Sequence, residues 1–203
     1  MDFPPENVRY DPVTRMLAGA YDDHGKIYNI VLLDPRTCQM RVVGNFSMAL
    51  GLFADAGAVD SLHRKYYALC FEQATLNPVL VVADLTGATP VKQIPVAFTV
   101  APLTLWLDAQ NQPWLFGPNN REDGLYSVDM KTGAVARFGD ISFPAPIGVG
   151  GIVVHQASNL AFLQWKNTDV FHRSAGISVV DLRTKTVVSA LLCAVPTPGN
   201  RAF

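Results

Sequence analysis

One hairpin-like phrase recurs four times along this chain of 203 residues, and it constrains the fold more than any other feature. Each copy is a β-branched or aromatic run that reaches an aspartate, followed by a turn rich in Thr, Gly, Lys or Pro. The four aspartates are Asp34, Asp84, Asp129 and Asp181, at spacings of 50, 45 and 52 residues. An aspartate that begins a turn accepts hydrogen bonds from the backbone N–H groups ahead of it. The next apolar run then returns as a second strand, so each phrase predicts a β-hairpin.

A second strand–turn–strand motif precedes each hairpin. The four copies begin at Tyr10, Val59, Leu107 and Val154, as "YDPVTRMLAGA", "VDSLHRKYYAL", "LDAQNQPWLFG" and "VHQASNLAFLQ". Each repeat unit therefore contains four consecutive antiparallel strands. No segment of ten or more residues shows a 3.6-residue apolar period, so we expect almost no helix.

Four-stranded units that repeat every 45–52 residues resemble the blades of β-propellers. The resemblance runs from about Val8 to Val195 and is to quinoprotein, kelch and gluconolactonase-like blades in general. The Trp-Asp marks of one propeller family are absent from the sequence, and the paired glycines of kelch do not recur from blade to blade. We expect a single all-β domain over 1–203, with blades at roughly 8–47, 48–98, 99–143 and 144–195. The competing fold is a β-sandwich with a coincidental repeat.

The ends of the chain leave three arrangements open. Four blades can close on themselves, two chains can join into an eight-bladed ring, or the chain can be part of a longer propeller. Chain length alone favours the self-closed monomer over the homodimer. Open blade edges would invite association, because unpaired strands recruit other strands.

Composition excludes some classes of partner. The formal net charge is −1 with no basic block, so neither nucleic acid nor an anionic membrane is an expected partner. No apolar run approaches the roughly 18 residues of a membrane span. Three widely spaced cysteines, Cys38, Cys70 and Cys193, are typical of free thiols in a reducing compartment. We therefore expect a cytoplasmic protein.

The loops between second and third strands hold most of the unusual polar residues, and they should share one side of the propeller. Rigid scaffolds usually bind through such loops. The polar loop tips, beside apolar links between blades, predict a patch for a protein partner, with simple solvation as the alternative. The candidate binding residues are Asp22, Asp23, His24, Arg121, Glu122, Asp123, Asn167, Asp169 and His172.

No catalytic motif accompanies these loops. The chain lacks GxSxG, HExxH, GxGxxG and phosphate-binding glycine patterns. We therefore expect a non-catalytic interaction scaffold with no cofactor, no metal and no catalytic residues. His63 and His155 lie in turns and are expected to be structural. Trp106, Trp114 and Trp165 could stack on sugars, so a lectin is one alternative.

A metal-dependent hydrolase or lactonase is the other alternative. The stretch "PENVRYDPVTRMLAGAYDDHGKIYNIVLLDPRT" from Pro5 resembles the first blade of gluconolactonase-like enzymes. In that family a glutamate before an aromatic-Asp-Pro turn binds a divalent metal that polarises a lactone carbonyl. The resemblance assigns this role to Glu6. The Asn-Gly and Ser-Pro-Asp ligand motifs of the family are absent from the sequence.

Overall fold

The computed structural model describes residues 6–22, 27–47, 49–119, 122–142, 147–167 and 174–194. These residues form four antiparallel sheets of four strands each, and within a sheet every strand pairs with the next one along the chain. The prediction of an all-β chain built from four four-stranded units is confirmed. Helical structure within the described ranges is limited to one 3₁₀ turn at Gln156–Ser158. None of the described segments forms a helix long and apolar enough to cross a membrane.

The sheets follow one another in chain order. The first sheet contains β1 (Glu6–Asp11), β2 (Met16–Asp22), β3 (Ile27–Leu33) and β4 (Met40–Ser47). The second contains β5 (Leu50–Asp60), β6 (Lys65–Glu72), β7 (Pro78–Asp84) and β8 (Lys92–Pro95). The third contains β9 (Thr104–Leu107), β10 (Pro113–Asn119), β11 (Glu122–Val128) and β12 (Val135–Arg137). The fourth contains β13 (Ile147–His155), β14 (Leu160–Asn167), β15 (Ser174–Asp181) and β16 (Thr186–Ala194).

The recurring aspartates begin the turns between third and fourth strands, as the sequence predicts. The Asp34 carboxylate accepts the Arg36 N–H at 2.8 Å, and Asp129 accepts the Lys131 N–H at 2.8 Å. Asp84 and Asp181 accept the N–H two residues ahead in the same way. A residue with positive φ then completes each turn, and the four are Cys38, Gly87, Gly133 and Lys185. These local hydrogen bonds reverse the chain and set the hairpin positions.

Apolar packing joins each sheet to the next. One buried cluster lies between the first and second sheets, one between the second and third, and one between the third and fourth. The second sheet lies between two of these clusters, so both of its faces are apolar. Tyr66 and Ala68 of β6 pack toward the first sheet, whereas Tyr67 and Leu69 pack toward the third. Strands buried on both faces read as continuous apolar runs rather than alternating ones.

Candidate functional site

The residues predicted to bind a partner lie at matching strand ends where the structure describes them. Asp22 ends β2, Glu122 and Asp123 begin β11, and Asn167 ends β14. Asp23, His24, Arg121, Asp169 and His172 lie outside the described residues. Whether these nine residues form one surface therefore stays a prediction.

The two described histidines hold turns on the other side of the sheets. His63 Nδ1 lies 2.7 Å from the buried carboxylate of Asp60, which also accepts the His63 backbone N–H at 2.9 Å. His155 Nδ1 lies 2.7 Å from the hydroxyl of Ser158. Both rings are bonded to neighbours within three residues along the chain, which agrees with the expectation of a structural role.

The three tryptophans differ in exposure. Trp106 is buried and its indole N–H donates to Asn159 Oδ1 at 2.9 Å. Trp165 is buried and donates to Ser178 Oγ at 3.0 Å. Trp114 is half-buried and borders open space. Only Trp114 among these indoles can therefore offer ring surface to a ligand.

Two adjoining hollows meet at Trp114, and together they are called the Trp114 groove here. Asp108 and Trp114 line both hollows, whose volumes are about 590 and 620 Å³. The first hollow lies along the third sheet and is completed by Val128, Asp129, Met130, Lys131, Ala134 and Ala136, among others. The second lies between the third and fourth sheets and includes Gln156, Asn159, Arg183 and Lys185. The groove lies at the end of the sheets where turns join first to second strands and third to fourth strands. The loops between second and third strands, which the sequence predicts to bind a partner, lie at the opposite end.

Local hydrogen bonds and ring contacts fix the walls of the groove. The Trp114 indole N–H donates to Asp108 Oδ2 at 3.0 Å. Lys185 Nζ lies 4.4 Å from the centroid of the Trp114 ring and 4.9 Å from that of Phe138. Phe138 also packs edge-on against Trp114, with ring centroids 5.8 Å apart. A cation over an aromatic ring is attracted by the negative charge of the ring face, so Lys185 and Trp114 hold each other in place.

Hydrogen bonding keeps the groove carboxylates ionised. The Trp114 indole N–H lowers the pKa of Asp108, burial opposes this, and the N–H groups of Gln112 and Gln110 lower it further. The backbone N–H groups of Thr132 and Lys131 hold the pKa of Asp129 below its ordinary value. A carboxylate with a lowered pKa is a weak base and is not protonated near neutral pH.

The described residues hold no donor set for a metal ion. Within the described ranges, no group of three His, Cys, Asp or Glu side chains converges on one point. Glu6, the ligand that the gluconolactonase-like resemblance assigns, is exposed at the start of β1. The described residues therefore do not bring together the ligand set that the gluconolactonase-like resemblance implies.

Comparison with known proteins identifies the fold. No protein-family model matches the chain, and no curated protein matches it. Among solved structures, TolB from Acinetobacter baumannii is 14% identical and matches 93% of this chain and 43% of its own, with a TM-score of 0.61. Kuenenia stuttgartiensis hydrazine synthase is 14% identical over 95% of this chain and 50% of its own, with a TM-score of 0.58. An oligogalacturonate lyase in complex with manganese is 10% identical over 92% of this chain and 52% of its own, with a TM-score of 0.59.

The class that these comparisons define is the β-propeller, and the four sheets are blades of propeller type. The resemblance to generic propeller blades stated from the sequence is thus confirmed. The chain spans about half of the length of the structures it matches, or less. At these identities the likeness shows the fold alone, and propellers include enzymes as well as binding proteins.

Sequence reasoning missed the Trp114 groove. Its walls come from the turns of two different sheets, and Lys185 is 71 positions beyond Trp114 in the chain. The sequence signal that could have indicated the groove was Trp114, near the start of a second strand and six residues after Asp108, which begins a turn.

Proposed function

We propose that this protein is a non-catalytic propeller scaffold that binds a protein partner in the Trp114 groove. The observation that carries the proposal is the half-exposed Trp114, held beside an apolar hollow and bordered by charged side chains. Apolar centres with polar rims are typical of protein-interaction surfaces, where tryptophan is enriched. The free thiols of Cys38 and Cys70 support a cytoplasmic setting.

Charge indicates the chemistry of the partner. Lys131, Arg183 and Lys185 line the groove, against the carboxylates of Asp108 and Asp129. Both carboxylates already accept hydrogen bonds from their own turns. Arg183 pairs with Asp181 at 3.4 Å, but its guanidinium group has further donors, so an acidic segment with an apolar or aromatic anchor fits best. The anchor would fill the hollow beside Met130, and the acidic groups would pair with Arg183 and Lys185.

Selection from a displayed library of random peptides tests this proposal. Enriched peptides should combine acidic residues with an aromatic or large aliphatic residue. Binding of one such synthetic peptide is then measured by calorimetry on the wild type and on Lys185→Met and Arg183→Met. Each variant should weaken binding about tenfold, which corresponds to one charge-assisted hydrogen bond.

Lys92→Met is the matched control, because Lys92 is exposed on β8 and lies outside both hollows. It should leave peptide affinity unchanged. Failure to enrich any peptide, or equal binding by all three variants, would count against the groove as the protein-binding site.

Carbohydrate binding is a second candidate, favoured by the same exposed indole beside a carboxylate. Aromatic rings stack on the apolar faces of sugars, but Lys185 already occupies one face of Trp114. An acidic oligosaccharide would suit that lysine better than a neutral one. Titration with oligogalacturonate and with a neutral oligosaccharide of equal length distinguishes this candidate. Saturable binding of the acidic sugar, lost in Lys185→Met, would favour it over the peptide-binding proposal.

A further inference from the structure

The fourth sheet has an exposed apolar face on the side away from the third sheet. Val153 and Phe162 pair directly across β13 and β14, and Ile177 and Leu191 pair across β15 and β16. Their side chains are 67%, 38%, 38% and 61% exposed, respectively. The opposite face of the same sheet, which includes Leu163, is buried against the third sheet. Contiguous exposed apolar surface of this kind marks an interaction site.

The three junctions inside the chain show what such a face packs against. Each sheet has a forward face, which points to the next sheet along the chain, and a back face on the other side. At each junction the forward face of one sheet packs on the back face of the next. Ala18 and Ile30 of the first sheet meet Ala68 and Val81 of the second in this way. The third sheet then meets the fourth through its forward face. The exposed surface of the fourth sheet is thus a forward face with no following sheet among the described residues.

The first sheet presents the complementary back face. Tyr10, Leu17 and Leu33 align across β1, β2 and β3, and Val42 lies beyond them on β4. Tyr10 is 54% exposed and Val42 is 51% exposed. The inner and outer edges of the back face are therefore apolar and exposed, whereas Val31 at its centre is buried within the single chain.

Two turn residues of the first sheet lack the contact that their equivalents make with a preceding sheet. Arg64 of the second sheet donates to Asp11 of the first at 2.7 Å, whereas the equivalent Arg15 is exposed. A Cβ at Gly87 of the second sheet would lie 3.5 Å from the Val43 carbonyl oxygen of the first, whereas Cys38, the positive-φ residue of the corresponding turn in the first sheet, is exposed. Among the described residues, no buried cluster joins the fourth sheet to the first.

We propose that the forward face of the fourth sheet binds the back face of the first sheet of a second copy of this chain. Two copies related by a two-fold axis make this contact twice and close a ring of eight sheets. A second copy is the occupant because it carries the face that each internal junction uses.

Two contacts between whole sheet faces would have the area of a stable dimer interface. The strands of the fourth sheet have 9, 8, 8 and 9 residues. With a spacing of about 4.8 Å between strands and a rise of about 3.3 Å per residue, one sheet face covers about 500 Å². Two junctions with two faces each then bury about 2,000 Å² in total, the upper end of the range for stable standard-size interfaces.

Light scattering after size-exclusion chromatography tests the proposal on the 203-residue chain. The wild type should have twice the chain mass of 22.1 kDa. Leu191→Lys places a charge in the fourth-sheet face, and Val42→Glu places one in the first-sheet face. Each should raise the dimer dissociation constant about 100-fold or more, because an unpaired charge would be buried twice per dimer. Leu76→Lys is the matched control, because Leu76 is 69% exposed in a turn away from both faces, and it should remain dimeric.

Mixing the Leu191→Lys and Val42→Glu variants supplies the decisive result. In a mixed dimer, one junction brings the ammonium introduced by Leu191→Lys next to the carboxylate introduced by Val42→Glu. The second junction has the wild-type residue in both faces. The mass of a dimer should therefore be recovered. Circular dichroism of each variant checks that loss of mass does not come from unfolding, and either variant alone suffices if the other does not fold. A monomeric wild type, a filament or larger oligomer, dissociation by Leu76→Lys, or no recovery on mixing two folded variants would each overturn the proposal.

Discussion

The Arg64 guanidinium donates a 2.7 Å hydrogen bond to the carboxylate of Asp11 and joins the turn of the second sheet to that of the first. The Asp11 side chain is fully buried, whereas that of Arg64 is 24% exposed. Burial raises the pKa of Asp11. Hydrogen bonds from Thr14, Ser61 and the Val13 N–H lower it, as does the charge of Arg64, and the net result is a pKa below the ordinary value. The carboxylate is therefore ionised and depends on its donors.

Replacement of Arg64 by methionine should destabilise the fold substantially. Removal of one partner of a buried ion pair costs about 3–5 kcal/mol of folding free energy. Because Asp11 keeps its other hydrogen-bond donors, we expect a cost at the lower end of this range, about 3 kcal/mol. Arg36→Met removes an exposed partner of Asp34 and should cost less than about 1 kcal/mol. Urea unfolding of both variants measures the difference. Equal losses would show that the Asp11–Arg64 contact does not hold the junction together.

Glycine at position 133 is required by close approach as well as by conformation. Its φ is +74°, and a Cβ there would overlap the carbonyl oxygen of Pro95 in the second sheet. Gly87 has a φ of +79°, but a Cβ would be 3.5 Å from its nearest neighbour, the Val43 oxygen. Gly133→Ala should therefore cost about 3 kcal/mol and Gly87→Ala only about 1 kcal/mol, the strain of the left-handed conformation.

Gly151→Ala completes that comparison when all three changes are made in the monomeric Leu191→Lys variant, because in the single chain a Cβ at Gly151 has no neighbour within 4 Å. Its effect on the free energy of unfolding should lie within about 0.5 kcal/mol of zero. Thermal melts of the three variants give the ranking. A Gly133→Ala protein as stable as the Gly151→Ala protein would contradict the close packing of the second and third sheets.

Acid should destabilise the fold through the turn aspartates. The pKa of Asp84 is held far below its ordinary value of 3.8 by hydrogen bonds from Thr86 and Lys65, and the pKa of Asp34 is lowered mainly by the Arg36 N–H. A lowered folded-state pKa means that the unfolded chain takes up protons first as the pH falls. Stability should therefore be fully present above about pH 5 and should decrease as the pH falls through about 3.8 toward the folded-state values.

The free energy of unfolding measured at about pH 7, 4 and 3 tests this dependence, with Asp84→Asn as the informative variant. Asp84→Asn should be less stable than the wild type at neutral pH and should lose less stability on acidification. An unchanged pH slope in that variant would mean that Asp84 does not contribute to acid sensitivity.

The thiol of Cys70 should be inert in the folded protein. Cys70 is buried in the junction between the first and second sheets, and burial raises its pKa to about 12. The thiolate is the reactive form, so a Cys38→Ser/Cys193→Ser variant should react with a disulfide reagent at about pH 8 only after denaturant is added. A variant that retains Cys38 alone should react rapidly in dilute solution, because Cys38 is exposed. Rapid reaction of native Cys70 would show that the junction opens readily.

The sequence predicted a binding surface on the loops from Asp22 to His172, because polar clusters interrupt apolar strands there, and that surface remains a prediction. It also predicted structural roles for His63 and His155 from their place in short turns, and the hydrogen bonds of both rings agree with such roles. The Trp114 groove was not found, since Lys185 and Trp114 meet only after the third and fourth sheets pack together.

The sequence by itself determined the strands, the four hairpins and their grouping into four units. Those features depend on hydrogen bonds between neighbours along the chain, such as the one from the Arg36 N–H to Asp34, and on the spacing of apolar runs. Tertiary structure alone decided which face of each strand meets which sheet. Tyr66 and Tyr67 are chemically alike and adjacent, yet they pack in opposite junctions. Contacts such as Arg64 with Asp11 join residues 53 positions apart, and apolar patterning along the chain does not distinguish one such pairing from another.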